Sequence, residues 1–160
     1  MQRCSWEEGF SLIELLIVVA IILIIAAIAI PNFMRARIAS NEASAVSSCR
    51  TITSAEITYN SYYQQGFSST LAQLGPPTSG QASPNGADLL DDVLASGVKS
   101  GYTFVFTPTN QSGARYDAYL LNASPSVPQR SGSRYFFSDP SGVIRVAHAG
   151  AAGPSDSPID

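Results

Sequence analysis

The sequence predicts an α+β protein: a long N-terminal helix, half transmembrane and half amphipathic, packed on a small antiparallel sheet of three to four strands. Three observations carry that expectation. Every residue from 15 to 30 is Leu, Ile, Val or Ala. Beyond that run, apolar residues recur at spacings of three, four and seven as far as Tyr63, the period of a helix with one covered face. After residue 101 the period drops to two: Tyr102, Phe104 and Phe106 alternate with Thr103, Val105 and Thr107, as in a half-buried strand.

The totals bound the rest. At 160 residues there is room for one domain and one core. Hydrophobic residues make up 45% of the chain, an ordinary share unevenly placed, since outside the apolar run the sequence is rich in Ser, Thr, Gly and Pro. A net charge of −3 argues against a nucleic-acid binder, which presents a basic face.

Taking the elements in order, residues 1–9 (MQRCSWEEG) are polar or mixed, and the apolar stretch follows from Phe10 to Ile30. A secretory signal peptide instead ends its short apolar stretch in a small-residue cleavage site. Counting Ser11 and Glu14 as interruptions, the stretch is 21 residues, about the ~20 needed to cross a ~30 Å hydrocarbon core. It reads as a single transmembrane helix with a polar domain on one side. Glu14 stands only four residues into it. One reading is a first-turn carboxylate reaching the membrane interface, favoured by the helix dipole. The other is a carboxylate that meets a positive partner inside the membrane, where an unpaired charge costs about 2.5–3.5 kcal/mol or more. Periodicity leaves both open.

The string GFSLIELLIVVAIILIIAAIAIPNF, residues 9–33, resembles the N-terminal region of type IV pilins and of type II secretion pseudopilins. The match covers Gly9, Phe10, Leu12, Ile13, Glu14, the aliphatic run, Pro31 and Phe33. The resemblance implies cleavage by a prepilin peptidase between Gly9 and Phe10 and methylation of the new amino terminus at Phe10. It also implies a role for Glu14: subunit docking, by pairing with the Phe10 amino terminus of a neighbouring subunit. Two groups that are each costly in lipid then become a satisfied pair, which sets axial register. The partners implied are copies of the chain itself in a helical filament, the prepilin peptidase, an inner-membrane platform with its assembly ATPase, an outer-membrane secretin, and membrane lipid before assembly. The implied location is a single pass through the inner membrane with the N-terminus cytoplasmic, then a pilus or periplasmic pseudopilus.

The chain departs from the family pattern in two places. Leaders of this family are usually basic, whereas here Arg3 faces Glu7 and Glu8, and Arg35 and Arg37 lie just beyond the span. Orientation therefore rests on the resemblance and not on the positive-inside count. Many type IV pilins also close a C-terminal loop with a disulfide, and no cysteine follows Cys49. Cys4 precedes the implied cleavage point, so Cys49 is expected to be a small buried hydrophobe.

Pro31 is expected to kink the helix without ending it. Ile38, Ala45, Cys49, Ile52, Ala55, Tyr59 and Tyr63 form the apolar stripe of the next segment, with Arg35, Arg37, Asn41, Ser48 and Thr51 largely elsewhere. Gly66 is the expected stop. The expected boundaries are a removed leader over 1–9, a transmembrane or filament-core helix over 10–31, its amphipathic half over 32–66, a globular domain over 67–148 and a flexible tail over 149–160.

Within the globular domain, residues 67–101 are rich in turn formers. ADLLDDVLAS, residues 87–96, reads as a short helix with Leu89, Leu90, Val93 and Leu94 inward. Asp88, Asp91 and Asp92 at its start suit the helix dipole better than a calcium loop. Strands are expected over 102–107, ending at Pro108, and over 116–122. A hairpin over 134–146 is expected to turn at Asp139-Pro140-Ser141-Gly142. The tail is almost all Gly, Ala, Ser, Pro and Asp.

Enzyme chemistry is not expected. The sole histidine is His148, beside the tail, and no Gly-rich phosphate loop, CxxC pair or HExxH string is present. No cofactor or metal is expected. Phe10, Phe33, Tyr59, Tyr62 and Tyr63 on the long helix raise the idea of electron conduction, but packing explains them more simply. The expected function is a structural subunit of a type IV pilus-like filament. The alternatives are a pseudopilin driving protein export and a passive single-span anchored binding domain.

Overall fold

The computed structural model describes residues 10–159. Helix α1 spans Leu12–Tyr63, 52 residues with Pro31 inside it. The chain divides into two compact units, one ending at Ala36 and one beginning at Arg37. The long helix packed on an antiparallel sheet is the α+β arrangement expected, with six strands in place of three to four.

In the second unit, α1 buries Glu42, Ala45, Ser48, Cys49, Ile52, Thr53, Ala55, Glu56 and Tyr59. Ile38 and Tyr63, placed on the stripe by sequence, are only half-buried, and Ser48, placed off it, is buried. The covered face is therefore wider and more polar than its apolar members indicate. The helix ends at Tyr63, and Gln64 takes the left-handed conformation (φ 56°) with its N–H donated to the Asn60 carbonyl. Gly66 is not the stop. Its φ of 84° and its approach to Tyr116, where a Cβ would collide with the backbone oxygen, make it the hinge into the sheet domain.

A 3₁₀ turn (Leu71–Leu74) and helix α2 (Asp92–Ala95) precede the sheet. The helix expected over 87–96 is a single turn. Asp88 is left-handed (φ 55°), and Asp91 caps α2 by accepting from the Leu94 N–H. Leu90 and Leu94 point inward as expected, whereas Val93 is 55% exposed.

The strands are β1 (Val98–Lys99), β2 (Tyr102–Ser112), β3 (Arg115–Pro125), β4 (Tyr135–Ser138), β5 (Arg145–Ala147) and β6 (Ser157–Pro158). Each pairs antiparallel with the next, in sequence order. Strand β2 does not end at Pro108, which pairs with Tyr119. The Phe104 N–H donates to Gly97 on the β1 side, so the Pro108 nitrogen, at the same parity, also faces that side. Strand β1 does not reach that far, and no ladder bond is lost.

One face of the sheet meets α1. Tyr102 and Phe104 from β2, Tyr119, Leu121 and Ala123 from β3, and Phe136 from β4 form a single core with Cys49, Ile52 and Tyr59. Phe137 lies on the opposite face yet is 2% exposed. The segment expected to be loose is held on that same face. Asn122, paired with Phe137 across β3 and β4, donates to the Ala152 carbonyl at 2.7 Å, and Ala152 is itself buried. Arg145 donates to the Asp156 carbonyl, Gly153 N–H to the Asp156 carboxylate, and Ile159 N–H to Ile144. Strand β6 completes the pairing. Residues 149–159 are thus tied down by backbone and side-chain hydrogen bonds that composition does not encode.

Candidate assembly segment

From Phe10 to Phe33 no side chain is buried within the chain, and Ala26 alone is even half-covered. Phe10 is 77% exposed, and Leu12 to Ile30 leave their large aliphatic side chains in the open. The mean hydropathy of the best 18-residue window of α1 is 3.3. Soluble monomers rarely expose contiguous apolar patches beyond a few hundred Å², and each uncovered Leu, Ile or Val forgoes about 1.5–3 kcal/mol. The segment is built to be covered by lipid or by other helices. Such a segment can adopt a helix in either setting because its backbone groups pair internally.

Glu14 is the one charge in the apolar run. With Ser11 preceding Leu12, the first helical residue, Ser11 is the N-cap and Glu14 the third position inside. The Glu14 carboxylate accepts the Ser11 N–H at 2.9 Å, which is half of a capping box. That bond fixes the carboxylate in the first turn, on the side of Phe10, and leaves its other oxygen without a hydrogen bond among the described residues. Ser11, whose N–H anchors Glu14, was not singled out by sequence, although the S-x-x-E spacing encodes it. Pro31 withholds the hydrogen bond otherwise made to Ala27, inside a helix that continues past it. Gly9 and the rest of the 1–9 leader lie outside the described residues.

The family model described as the prokaryotic N-terminal methylation motif matches residues 7–30. The match supports a prepilin segment like those of type IV pilins and pseudopilins. Glu14 and the apolar run fall within the matched residues, as do Gly9 and Phe10, whereas Pro31 and Phe33 lie just beyond them. No curated protein matches the chain, and no solved structure does. The motif supports a protein of the type IV pilin or pseudopilin kind.

The second unit has surface features of its own. A shallow groove of about 380 Å³ along α1 is lined by Arg50, Thr51, Ser54, Ala55, Thr58 and Leu89, without an acid–base pair. His148 is exposed. Among the described residues no three of His, Cys, Asp and Glu gather to hold a metal, and Asp91 is engaged with Leu94 and Lys99. Tyr59 and Tyr62 each lie 4.9 Å from Tyr63, ring centre to ring centre, as a packed cluster at the end of α1.

Two carboxylates that the sequence reading passed over join α1 to the domain. Glu42 is 5% exposed and accepts from Ser133 N (2.8 Å), Ser133 Oγ (2.8 Å), Arg134 N (3.2 Å) and Arg134 Nε (2.7 Å). Burial pushes its carboxyl pKa up, but the Ser133 bonds and the Arg134 guanidinium outweigh burial and hold it below the usual range. Glu56 is fully buried, and among the described residues its hydrogen-bond partner is Ser68. The signal for both was their place one helical step from the apolar stripe, at 42, 45, 49, 52, 56 and 59.

Proposed function

We propose that the chain is a structural subunit of a type IV pilus-like filament, held in the membrane by its N-terminal helix until it is assembled. The observation that carries this reading is the coincidence of the methylation motif at residues 7–30 with an apolar run at the start of α1 whose large side chains are all left exposed. A passive anchor needs the apolar helix but has no use for a capped carboxylate beside a cleavable Gly-Phe junction.

In this reading the peptidase cuts between Gly9 and Phe10, Phe10 is methylated, and its new amine pairs with Glu14 of a neighbour. The capping bond from Ser11 supports the docking role, since it holds the carboxylate ready at low entropic cost. A bend at Pro31 would let the apolar helix pack independently of the domain. The N-terminus is cytoplasmic before assembly and the domain lies outside. The platform, its ATPase and a secretin act on the chain during assembly.

The test is mass spectrometry of filaments sheared from cells, together with the membrane and periplasmic fractions. Abundant chain beginning at methylated Phe10 in the sheared fraction supports a pilus subunit. The same processed chain confined to membrane and periplasm supports a pseudopilin. An uncut Gly9–Phe10 bond everywhere overturns the reading, and filament formation undisturbed by Glu14→Ala overturns the docking role.

A further inference from the structure

Glu56 sits on α1 with 0% of its surface exposed. Among the described residues its two oxygens hydrogen-bond to one residue: Ser68 N lies 3.0 Å from Oε2 and Ser68 Oγ lies 2.5 Å from Oε1. No cation answers it, because the ion pairs among the described residues are Lys99–Asp91, Arg115–Asp117 and Arg134–Glu42. The other ionisable groups turned towards it are Tyr59 of α1 and Tyr119 of β3. The Tyr59 hydroxyl donates to the Pro84 carbonyl, and the buried Tyr119 hydroxyl has no partner among the described residues. Neither phenol gives the carboxyl a hydrogen. From the segment after the helix, Ser68 supplies its hydrogen bonds among the described residues.

The burial of a charge that nothing answers sets the protonation state. The Ser68 hydroxyl lies between two oxygens, Glu56 Oε1 and the Thr70 carbonyl at 3.1 Å, and it owns one hydrogen. If Glu56 is ionised, that hydrogen turns to Oε1 while the Thr70 carbonyl keeps the Gln73 N–H, and a charge stays buried without a counter-charge, which desolvation opposes. If Glu56 keeps its proton, Oε1–H donates to Ser68 Oγ, and Ser68 Oγ–H donates to Thr70. The Ser68 N–H still donates to Oε2. Every contact is then a hydrogen bond.

We propose that Glu56 carries its proton inside the folded domain at neutral pH and acts as a proton-loaded latch between α1 and the segment that follows it, so that rising pH loosens the domain. Desolvation by burial raises its carboxyl pKa, partly offset by Ser68. A raised folded value means that the folded state holds the proton more tightly than the unfolded chain. The stabilisation is complete below the usual carboxyl value of 4.5 and is lost as pH rises through the folded value. Glu42 is shifted the other way, so its contribution fades below 4.5. The two pH limbs therefore do not overlap.

The test uses the full chain in detergent micelles. Between pH 4.5 and the folded value, the unfolding constant of the wild type should rise about tenfold per pH unit from this one proton. Glu56→Gln reproduces the neutral form, with an amide N–H to Ser68 Oγ and a carbonyl accepting from Ser68 N, and should abolish that limb while keeping the acid limb. An alkaline limb unchanged in Glu56→Gln overturns the proposal. Infrared spectroscopy gives an answer even if that variant fails to fold. With glutamate carboxyls isotopically labelled, and Glu14→Gln to silence the carboxyl in detergent, a protonated-carboxyl stretch should be present at neutral pH and vanish on unfolding. Absence of that band in the folded chain overturns the proposal equally.

Discussion

Removing the Glu42 carboxylate should be among the most damaging single changes in the domain. In Glu42→Ala, Ser133 N–H and Arg134 N–H lose their acceptor, as do Ser133 Oγ and Arg134 Nε. A buried donor left without a partner costs about 1–3 kcal/mol. Breaking a buried ion pair costs about 3–5 kcal/mol where the survivor stays dry. Arg134 does not stay dry, since its side chain is 39% exposed against 7% for Glu42 and it also lies over the Phe136 ring. The guanidinium rehydrates, so the pair itself is discounted and the loss falls mainly on the two backbone donors. About 3 kcal/mol is expected, a large part of a typical 5–15 kcal/mol. Urea unfolding of the full chain in detergent, followed by tyrosine near-ultraviolet dichroism, measures it. Glu42→Gln, which keeps an acceptor at Oε1, should lose less. A double-mutant cycle with Arg134→Ala should return a coupling of about 0.5–3 kcal/mol. Because Glu42 titrates below its ordinary value, its contribution is whole above pH 4.5 and lost as pH falls through the folded value. Glu42→Gln should lack that acid limb. A loss under about 1 kcal/mol for Glu42→Ala, the level of a surface ion pair, would refute the claim that this carboxylate clamps the helix to the loop before β4.

Three further outcomes follow from burial. The Cys49 thiol is 0% exposed, and burial pushes its pKa up to about 12, so no thiolate is available to react. In a chain carrying Cys4→Ser, alkylation at neutral pH should proceed only as fast as the domain opens, and rapid labelling of the folded chain would contradict the packing. Phe137→Ala should cost about 3–5 kcal/mol, as for a core phenylalanine, even though Phe137 lies on the sheet face away from α1. Truncation after residue 148 should also lower the melting temperature, and a truncated chain that melts like the wild type would mean that the last residues cover nothing.

Much of the fold was legible because its signals are periodic and local. The apolar run, the helical stripe from Ala45 to Tyr59 and the alternation at Tyr102, Phe104 and Phe106 each report a buried face through spacing alone. The methylation motif was legible for a related reason: it sits in consecutive residues, 7–30, and needs no folding to be brought together. The misreadings occur where a distant partner decides. Val93 has the right spacing for a buried helix position, but α2 is one turn and Val93 is left outside. Pro108 looks like a strand end, yet it is harmless beside a two-residue β1. Glu42 and Glu56 look like solvent-facing residues until the loop before β4 and Ser68 arrive to receive them.

A membrane-length apolar helix with a methylation motif at its start can be read along the chain, because length, hydropathy and a short contiguous motif are properties of neighbouring residues. Which polar residues enter the core, and what becomes of the C-terminal residues, is settled in the folded domain. Their fate depends on hydrogen bonds across 91 positions from Glu42 to Ser133 and across 30 from Asn122 to Ala152. A buried carboxylate or a loose-looking run of Gly, Ala, Ser and Pro becomes stable only when its partners are supplied from elsewhere in the fold, and no local pattern announces them.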